Sequence, residues 1–542
     1  MGAGRNSIFT IALTAVLVCA AVVYPARADD GGHNRGPIVN LAADGVAHLY
    51  LRPEFEIDGS HSKEELVGAF QQVVDRYARA RVPYLFLNVC YQRTTYDSAV
   101  WDSYWDVKDP DRQVSGWPRR MWMAYRAGVD PFAVCVARCR EKGISPWMSI
   151  RMNDTHYIDD PTRTSTFWQK HPELRINSGN GGYDFARPAV QKYYLALIEE
   201  LLLRYDCDGI ELDWMRFPSH FRPGQEERGR QHLNDFMRRA KKLAQTAAKT
   251  RGHAVKIAAR IPAVPRAGLA RGMDGAAWVR QRLADILVLS AVWRPTDTDI
   301  PIEQWRKSIG PVEHEYLLAA ATDLWIQSSP GGRLMKDDLE TQRGFTAAML
   351  DRGADLIYLF NHFNTNDFRL KLRSADGRDT IRDENHELLE TAGRMKAALC
   401  GPRRHVLSFH DPAPPGDRRP LPAEISSGRT ATFQIHTGPK PERGRVVIRI
   451  GLAKNPGLKH ARPAARLNGS ECRPISDLST PASIPFKPLA GGGVPHVAYV
   501  AERIVRFEAP LESMRRGSNR IEATLQQGQP QKIVWVEIYI DP

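Results

Sequence analysis

The sequence predicts an α/β fold, a (β/α)8 TIM barrel followed by a small C-terminal β-sandwich. From residue 37 to about residue 399, short apolar runs alternate with longer segments of helical periodicity, as in repeated β–α units. Eight such repeats fit a closed barrel, and no glycine-rich phosphate-binding motif follows an early strand. From about residue 425, short alternating segments separated by turn residues indicate the sandwich.

The predicted barrel strands are short apolar runs, at residues 47–51, 84–91, 145–152, 209–214, 255–261, 286–292, 316–322 and 356–360. The predicted helices have one apolar face, at residues 63–80, 131–142, 188–204, 225–250, 278–283, 302–308, 336–352 and 385–398. The alternating segments of the sandwich include residues 430–436, 445–450, 497–507, 520–525 and 532–540, with a two-residue hairpin turn at Asn468-Gly469.

Residues 1–28 have the pattern of a secretory signal peptide. Arg5 precedes an apolar run, and Ala26-Arg27-Ala28 has the small-x-small form of a cleavage site. We therefore expect a secreted or periplasmic protein that begins at Asp29 and has no membrane segment after cleavage. The alternative is an uncleaved membrane anchor, because the apolar run is close to spanning length.

Four segments follow from these patterns. Residues 1–28 are the signal peptide, residues 29–399 the barrel, residues 400–424 a proline-rich linker, and residues 425–542 the sandwich, which either binds carbohydrate or braces the barrel. The formal net charge is +13, and it is +11 without residues 1–28. That charge favours attraction to acidic polysaccharide or the cell envelope, whereas no aromatic-and-basic signature of nucleic-acid binding is present.

The cysteine spacing does not predict a metal site. Cys19 lies in the signal peptide, and the other six cysteines form no CxxC pair and lie beside no histidine cluster. An exported protein can form one disulfide, but the sequence does not select its partners. It does not decide the oligomeric state either.

The fourth predicted strand carries two acids, Glu211 and Asp213. Residues i and i+2 of a strand point to the same side, so these carboxylates point together. Near the C-terminal end of a barrel strand, such a pair is typical of an active site. The alternative is a structural ion pair with Arg216 or another core arginine.

Polar and aromatic side chains follow the other predicted strands, where a barrel enzyme places its substrate-binding groups. The candidates are Arg151, Asn153, Arg216, Arg260, Trp293, Trp325, Asn361 and His362, with Asp323 as a further acid. The predicted loops 92–125 and 153–184 are rich in tryptophan and tyrosine, which suit the apolar faces of sugar rings. The alternative for these loops is a small aromatic core of their own.

Cleavage of a glycosidic bond needs two carboxyl groups, one to protonate the leaving oxygen and one to act as nucleophile or to activate water. Asp213 is the first choice for the nucleophile or base, because it lies nearest the strand end and Arg216 can keep it ionised. Glu211 is the second choice for that role. The proton donor is either Asp323, across the barrel, or Glu211, if its environment differs from that of Asp213.

Residues 171–218 resemble the core of the glycosyl-hydrolase-like family ten and related barrel glycoside hydrolases. The likeness is carried by HPE at 171–173, YDFARP at 183–188, YDCDGIELD at 205–213 and RFP at 216–218. It implies a (β/α)8 glycoside-processing enzyme over about residues 37–400, supports Asp213 as a site residue, and keeps cell-wall glycan among the expected substrates.

The segment DGIELDWM at residues 208–215 is also similar to the fourth-strand motif DGIDIDWE of chitinases. Met215 replaces the glutamate that donates the proton in that family, and methionine cannot transfer a proton. The expected function is therefore an exported glycoside hydrolase that acts on a polysaccharide or cell-wall glycan without metal or organic cofactor. The alternatives are a non-catalytic glycan-binding protein and a polysaccharide lyase acting on uronic-acid polymers.

Overall fold

The structure, a computed structural model, describes residues 35–48, 57, 59–176, 181–291, 295–323, 325–329, 332, 334–360, 369–373, 379–409, 419–478 and 501–542. The predicted signal peptide lies outside the described residues. So do Trp293, Asn361 and His362, three of the predicted substrate-binding residues.

The first 399 residues contain thirteen described strands. They are β1 (Pro37–Leu41), β2 (Tyr84–Asn88), β3 (Ser145–Arg151), β4 (Gly209–Asp213), β5 (Lys256–Pro262), β6 (Ile286–Ser290), β7 (Pro295–Thr296), β8 (Leu317–Thr322), β9 (Trp325–Gln327), β10 (Leu334–Lys336), β11 (Leu356–Leu359), β12 (Arg369–Arg373) and β13 (Asp379–Asp383). Eight of them close into a parallel barrel in the order β1-β11-β8-β6-β5-β4-β3-β2. The predicted fold class is confirmed.

The first barrel strand differs from the prediction. Residues 47–51 are not its location, because Ala47 and His48 lie in a helix and residues 49–51 lie outside the described part. β1 begins ten residues earlier, and all five of its residues are buried. The run Pro37–Leu41 is short and is interrupted by the polar Asn40, and residues 47–51 offered a second short apolar run nearby.

The described α-helices agree closely with the predicted pattern along most of the barrel. They are α1 (Ala43–His48), α2 (Lys63–Arg79), α3 (Pro110–Gln113), α4 (Trp117–Arg126), α5 (Pro131–Lys142), α6 (Thr166–Lys170), α7 (Pro188–Arg204), α8 (Glu226–Arg251), α9 (Pro265–Leu269), α10 (Gly275–Arg280), α11 (Ile302–Ile309), α12 (Leu339–Asp351), α13 (Glu384–Thr391) and α14 (Met395–Leu399). The predicted helix 385–398 is divided into α13 and α14, because Gly393 takes a left-handed conformation with φ of 71°.

Large apolar side chains fill the barrel on the N-terminal side of the predicted acids. Phe86 and Trp147 stack with their ring centroids 4.8 Å apart, and Tyr358 meets Phe86 edge-on. The ring of Trp147 occupies the space beside Gly209, which begins β4. This layer lies one step below Glu211, since Glu211 is two residues further along β4.

The tryptophan-rich segment after β2 forms an aromatic core rather than an exposed sugar-binding surface. Tyr96, Trp101, Tyr104 and Trp105 are all buried, and they belong to the main hydrophobic cluster of the barrel. Trp101 stacks on Tyr193 of α7 at 4.2 Å. The expectation that these side chains bind sugar rings is therefore wrong for these four residues, because they pack the loop against the barrel helices.

Two antiparallel sheets form the predicted sandwich. One contains β14 (Arg403–Val406), β15 (Ala423–Ile425), β17 (Arg445–Ala453), β20 (Arg473–Leu478), β21 (Ala501–Ala509) and β23 (Gln531–Asp541), and the other contains β16 (Ala431–His436), β18 (Arg462–Leu467), β19 (Ser470–Glu471) and β22 (Ser518–Gln527). The Asn468-Gly469 turn is confirmed between β18 and β19, with φ of 52° and 92°.

Residues 400–424, predicted as a linker, contribute directly to the sandwich. β14 pairs with β23 over four residues, and β15, which begins at Ala423, pairs with the same strand. The proline and arginine content of this segment suggested an extended connection. An edge strand tolerates such residues, so composition alone did not separate the two structures.

All six cysteines outside the predicted signal peptide are free thiols, and only Cys400 of these is exposed. The described helices include none with both the length and the hydropathy needed to cross a bilayer.

The contact between Gly209 and Trp147 gives a stability prediction. A Cβ added at Gly209 would lie 2.3 Å from the Trp147 ring, so Gly209→Ala should lower the free energy of unfolding, by about 1–3 kcal/mol for overpacking in a tight core. Gly68→Ala is the matched control, because a Cβ there meets nothing within 4 Å. It should raise stability by up to about 1 kcal/mol through helix propensity. Urea unfolding of both variants tests this, and equal effects would contradict it.

Candidate active site

Asp213 ends β4 and is enclosed by hydrogen-bond donors. Nη1 of Arg260 lies 3.0 Å from each of its carboxylate oxygens. The backbone N–H groups of Met215 and Arg216 donate to Oδ1 at 2.9 and 3.2 Å. All of these described partners are donors, as an ionised carboxylate requires, since it can only accept hydrogen bonds.

The pairing of three adjacent strands explains this arrangement. Asp213 on β4 is in register with Arg151 on β3 and with Arg260 on β5. Neighbouring strands are about 4.8 Å apart, so the three side chains form one charged row at the C-terminal end of the barrel. The Arg260 guanidinium also stacks on Phe360 at 3.5 Å and donates to Oγ of Ser290 at 2.9 Å from Nη2.

Arg216 is therefore not the side chain that pairs with Asp213. Its backbone N–H contacts Asp213, whereas its guanidinium points to His156. The alternative to an active site was a structural ion pair with Arg216 or another core arginine, and the structure does show an ion pair of Asp213, with Arg260. Met215, which replaces the chitinase proton donor, is fully buried.

Glu211 lies deeper in the barrel, and both of its oxygens accept hydrogen bonds. Tyr358 donates to Oε1 at 2.6 Å, while Ser149 and Asn40 donate to Oε2 at 2.5 and 2.9 Å. Burial, followed by the negative charge of Asp213, raises the pKa of Glu211 to about 7. The bonds from Ser149 and Tyr358 and the charge of Arg260 oppose this rise. The two acids thus have different environments, which is the arrangement that separates the roles of paired carboxyls.

A second charged group lies beside the first, on the loop after β3. Oδ1 of Asp154 lies 2.7 Å from Nδ1 of His156, and its Oδ2 accepts a bond from Arg151 at 3.2 Å. Nε2 of His156 is 3.1 Å from Nη2 of Arg216. Arg216 can only donate, so this contact requires a neutral imidazole whose Nδ1–H faces Asp154.

The pKa shifts agree with that assignment. Burial, assisted by the charge of Arg216 and opposed by Asp154, lowers the pKa of His156. Burial alone would raise the pKa of Asp154, but the hydrogen bond from the neutral His156 and the charges of Arg151 and Arg216 hold it well below its ordinary value. The pair is thus an anion bonded to a neutral imidazole near neutral pH.

Asp323, one residue beyond β8, lies within electrostatic reach of the same arginine. Burial and the charge of Arg151 lower the pKa of Arg216 to about 10, while Asp154 and Asp323 act in the opposite direction. Arg216 therefore interacts with residues at the ends of both β4 and β8. Its backbone N–H donates to Asp213, and its guanidinium interacts electrostatically with Asp323. Asp323 is also partly exposed, unlike Glu211 and Asp213, which are at least 99% buried.

The remaining predicted residues have different settings. Asn153 is fully buried and binds backbone groups of Tyr183 and Ser219, so it holds two loops together. Arg151 is buried between Asp154 and the ring of Tyr91, which lies 4.2 Å from its guanidinium carbon. Trp325 is partly buried on β9, two residues after Asp323.

Several residues of the site were not selected from the sequence. They are Asn40, Ser149 and Tyr358. Asn40 lies on the misplaced first strand, and Tyr358 looks like an ordinary core residue of an apolar strand. The sequence does offer Asp154 and His156 among the polar residues that follow the third predicted strand, without assigning a role to either.

Among the described residues, no group of His, Cys, Asp and Glu side chains has the arrangement of a metal site. The described polar side chains at the end of the barrel include carboxylates, one aspartate–histidine pair and three arginines. Such a set can transfer protons and bind hydroxyl groups.

No protein-family model and no curated protein match the sequence. The resemblance to glycosyl-hydrolase-like family ten therefore stays a prediction. Several solved structures match the chain at low similarity. A cycloisomaltooligosaccharide glucanotransferase from Paenibacillus sp. is 10% identical, with a TM-score of 0.34 over 94% of this chain. This chain spans 58% of the length of that protein.

Two further matches have the same character. The glycoside hydrolase domain of PgaB (BpsB) from Bordetella bronchiseptica is 11% identical, with a TM-score of 0.35, and the match covers 60% of this chain and 93% of that domain. An α-L-fucosidase, isoenzyme 1, from Paenibacillus thiaminolyticus is 12% identical, with a TM-score of 0.32, and the match covers 92% of this chain and 98% of the fucosidase.

The raised pKa of Glu211 predicts a pH dependence of stability. An acid whose pKa is higher in the folded state binds more protons there, so stability falls as pH rises from the ordinary value of 4.5 to about 7. Glu211→Gln removes this contribution, which amounts to about 3 kcal/mol between those limits. Urea unfolding of wild type and variant across this range measures the difference.

A second buried acid provides the internal control for that measurement. Burial raises the pKa of Asp337 to about 8, and its contribution has the same sign and remains in both proteins. The variant should therefore keep a smaller decline in stability above pH 4.5. Identical slopes in the two proteins would show that Glu211 does not titrate in this range.

The pair between Arg260 and Asp213 gives a third prediction. Arg260→Met leaves a buried carboxylate without its cation and should cost about 3–5 kcal/mol in the free energy of unfolding. Adding Asp213→Asn should recover part of that loss, because the uncompensated charge is removed. Arg238→Met is the matched control, since the Arg238–Asp235 pair on α8 is half exposed and should contribute less than about 1 kcal/mol. A double-mutant cycle without coupling would contradict the prediction.

Proposed function

We propose that this protein is an exported glycoside hydrolase that cleaves O-glycosidic bonds of a polysaccharide or cell-wall glycan. The observation that carries the proposal is the placement of Asp213 at the C-terminal end of β4, with Asp323 at the end of β8 and Arg216 between them. Glycosidic cleavage needs two carboxyl groups that face one substrate, and barrel enzymes take them from the ends of different strands.

Asp213 acts as the nucleophile or the base. The three donors that hold it, Arg260 and two backbone N–H groups, fix its orientation. A fixed carboxylate loses little freedom when the substrate binds, and this favours attack on a correctly placed sugar carbon or water.

Asp323 is the proton donor in this proposal. It is partly exposed, so a leaving-group oxygen can reach it, whereas Glu211 is fully buried in the barrel. Glu211 acts as a positioning residue below Asp213: its protonation state changes the charge that Asp213 and Arg260 experience. Trp325, beside Asp323, offers an aromatic face for a sugar ring.

The proposed location and substrate class follow from the sequence. The signal-like residues 1–28 support export to the periplasm or the outside, where polysaccharide and envelope glycans are present. The net charge of +11 after their removal supports attraction to acidic glycans. The substrate is a carbohydrate, and neither a cofactor nor a nucleic acid takes part.

The two alternatives have less support from the site. A lyase acting on uronic acids would use Arg151 and Arg260 to bind substrate carboxylates, but both arginines are buried and paired with Asp154 and Asp213. A binding protein without turnover needs no two acids at one barrel end. Both alternatives are distinguished by the same assay, since a lyase yields unsaturated products that absorb in the ultraviolet.

The decisive experiment measures reducing ends released from a panel of polysaccharides and cell-wall glycans by the purified mature protein and its variants. Asp213→Asn should lower turnover by at least about 10³-fold, and Asp323→Asn by about 10²–10⁴-fold, as expected for loss of a nucleophile or a general acid. Binding of the same glycan, measured by calorimetry, should persist in both variants.

Asp235→Asn serves as the matched control, because Asp235 is a half-exposed acid on α8, outside the site, that pairs with Arg238. It should retain wild-type turnover. Binding without turnover in the wild-type protein on every glycan of the panel would replace the hydrolase with the binding protein. Ultraviolet-absorbing products would replace it with the lyase.

A further inference from the structure

The loops that follow β6 and β8 form a small sheet at the C-terminal end of the barrel. β7 pairs in parallel with β9, and β10 pairs with β9 in the antiparallel direction. Thr296 of β7 joins this sheet to Asp323: its Oγ1 accepts a bond from the Asp323 N–H at 3.0 Å and donates to the Asp323 carbonyl at 3.1 Å. The position of Asp323 is thus linked to the position of the sheet.

The other side of this sheet packs on the β-sandwich. Ile326 of β9 and Met335 of β10 are buried in an apolar cluster whose other members all belong to the sandwich: Val406, Ala453, Ala501, Ile504, Val534 and Trp535. Closely packed side chains resist displacement, so a shift of the sandwich surface would also shift the sheet that packs on it. The sheet therefore lies between the proposed proton donor and the second domain.

Hydrogen bonds fix the sheet and the loop that follows β7 to the same surface of the sandwich. Oγ of Ser328, next to β9, donates to the Val534 carbonyl at 2.7 Å. Thr298, after β7, donates from Oγ1 to the Val406 carbonyl at 2.6 Å, and its N–H donates to Oγ of Ser408 at 2.8 Å. These bonds determine the register of the contact, which apolar packing alone does not.

A buried charge cluster holds the sandwich surface itself in place. Glu537 of β23 is fully buried and accepts bonds from Arg404 and Arg449, each at 2.7 Å, and from Nε1 of Trp535 at 2.9 Å. Arg404 also reaches Asp338, the N-cap of α12 in the barrel, at 3.3 Å. The same acid therefore orients Trp535 in the apolar cluster and the arginine that contacts the barrel.

We infer that the β-sandwich is a positioning element of the active site, which holds Asp323 and Trp325 at the barrel mouth through the sheet β7–β9–β10. The inference rests on the proposed function, in which Asp323 donates the proton. Val534 is the positioning residue on the sandwich, because its side chain packs in the apolar cluster and its carbonyl accepts the bond from Ser328.

Val534→Ala in the full chain tests the inference, with Val505→Ala as the matched control. Both valines are buried, but Val505 lies in the internal core of the sandwich and not in the cluster at the barrel. We expect hydrogen–deuterium exchange of backbone amides at residues 322–329 to become about tenfold faster in Val534→Ala and to stay unchanged in Val505→Ala. Ser328→Ala, a second variant on the barrel side of the contact, should show the same local effect.

Activity provides an independent measurement. Displacement of a proton donor should lower kcat by about 10–100-fold with KM nearly unchanged in Val534→Ala, whereas Val505→Ala should keep the wild-type kcat while lowering the thermal midpoint by a similar amount. Equal exchange at residues 322–329 in Val534→Ala and Val505→Ala would overturn the inference, whatever the activity. Faster exchange there with no turnover in the wild type would support the positioning role and reject the proposed hydrolase.

Discussion

The ion pair between Asp213 and Arg260 is the interaction on which the rest of the site depends. Two fully buried charges cost several kcal/mol to desolvate, and they are tolerated because Arg260 also bonds to Ser290 and stacks on Phe360, while Asp213 accepts two backbone bonds. Burial, together with the charge of Asp213, raises the pKa of Glu211 beneath it. Asp213 also accepts a bond from the backbone N–H of Arg216, whose guanidinium lies beside His156. The Asp213–Arg260 pair is therefore linked through Arg216 to the second charged group, Asp154 and His156.

The barrel itself was predictable, because eight repeats of strand and helix leave few other topologies. Helices such as α5 and α7 were predicted to the residue, since each begins with a proline at its first turn and ends at a clear change of pattern. β1 was not, because its short apolar run is interrupted by Asn40 and a second apolar run lies at residues 47–51. Its loss from the prediction also removed Asn40 from the candidate site.

The acids of the site were predictable, but their partners were not. Spacing along one strand places Glu211 and Asp213 on the same side, and this requires no knowledge of the fold. The choice between Arg216 and Arg260 depends on the register between β4 and β5, which the chain establishes only by closing the barrel. The aromatic segment after β2 was misjudged for a related reason: tryptophans that bind sugars and tryptophans that pack a loop have the same composition.

The stacked rings of Phe86 and Trp147 have a consequence for how protons reach the interior. They lie immediately below Glu211, and both of these side chains and Tyr358 are buried, so Glu211 faces packed aromatic rings on that side. Asp213 and Arg260 lie on its other side, towards the C-terminal end of the barrel. In the hydrolase proposed above, a glycan bound over that end would slow the exchange of the Glu211 proton with solvent.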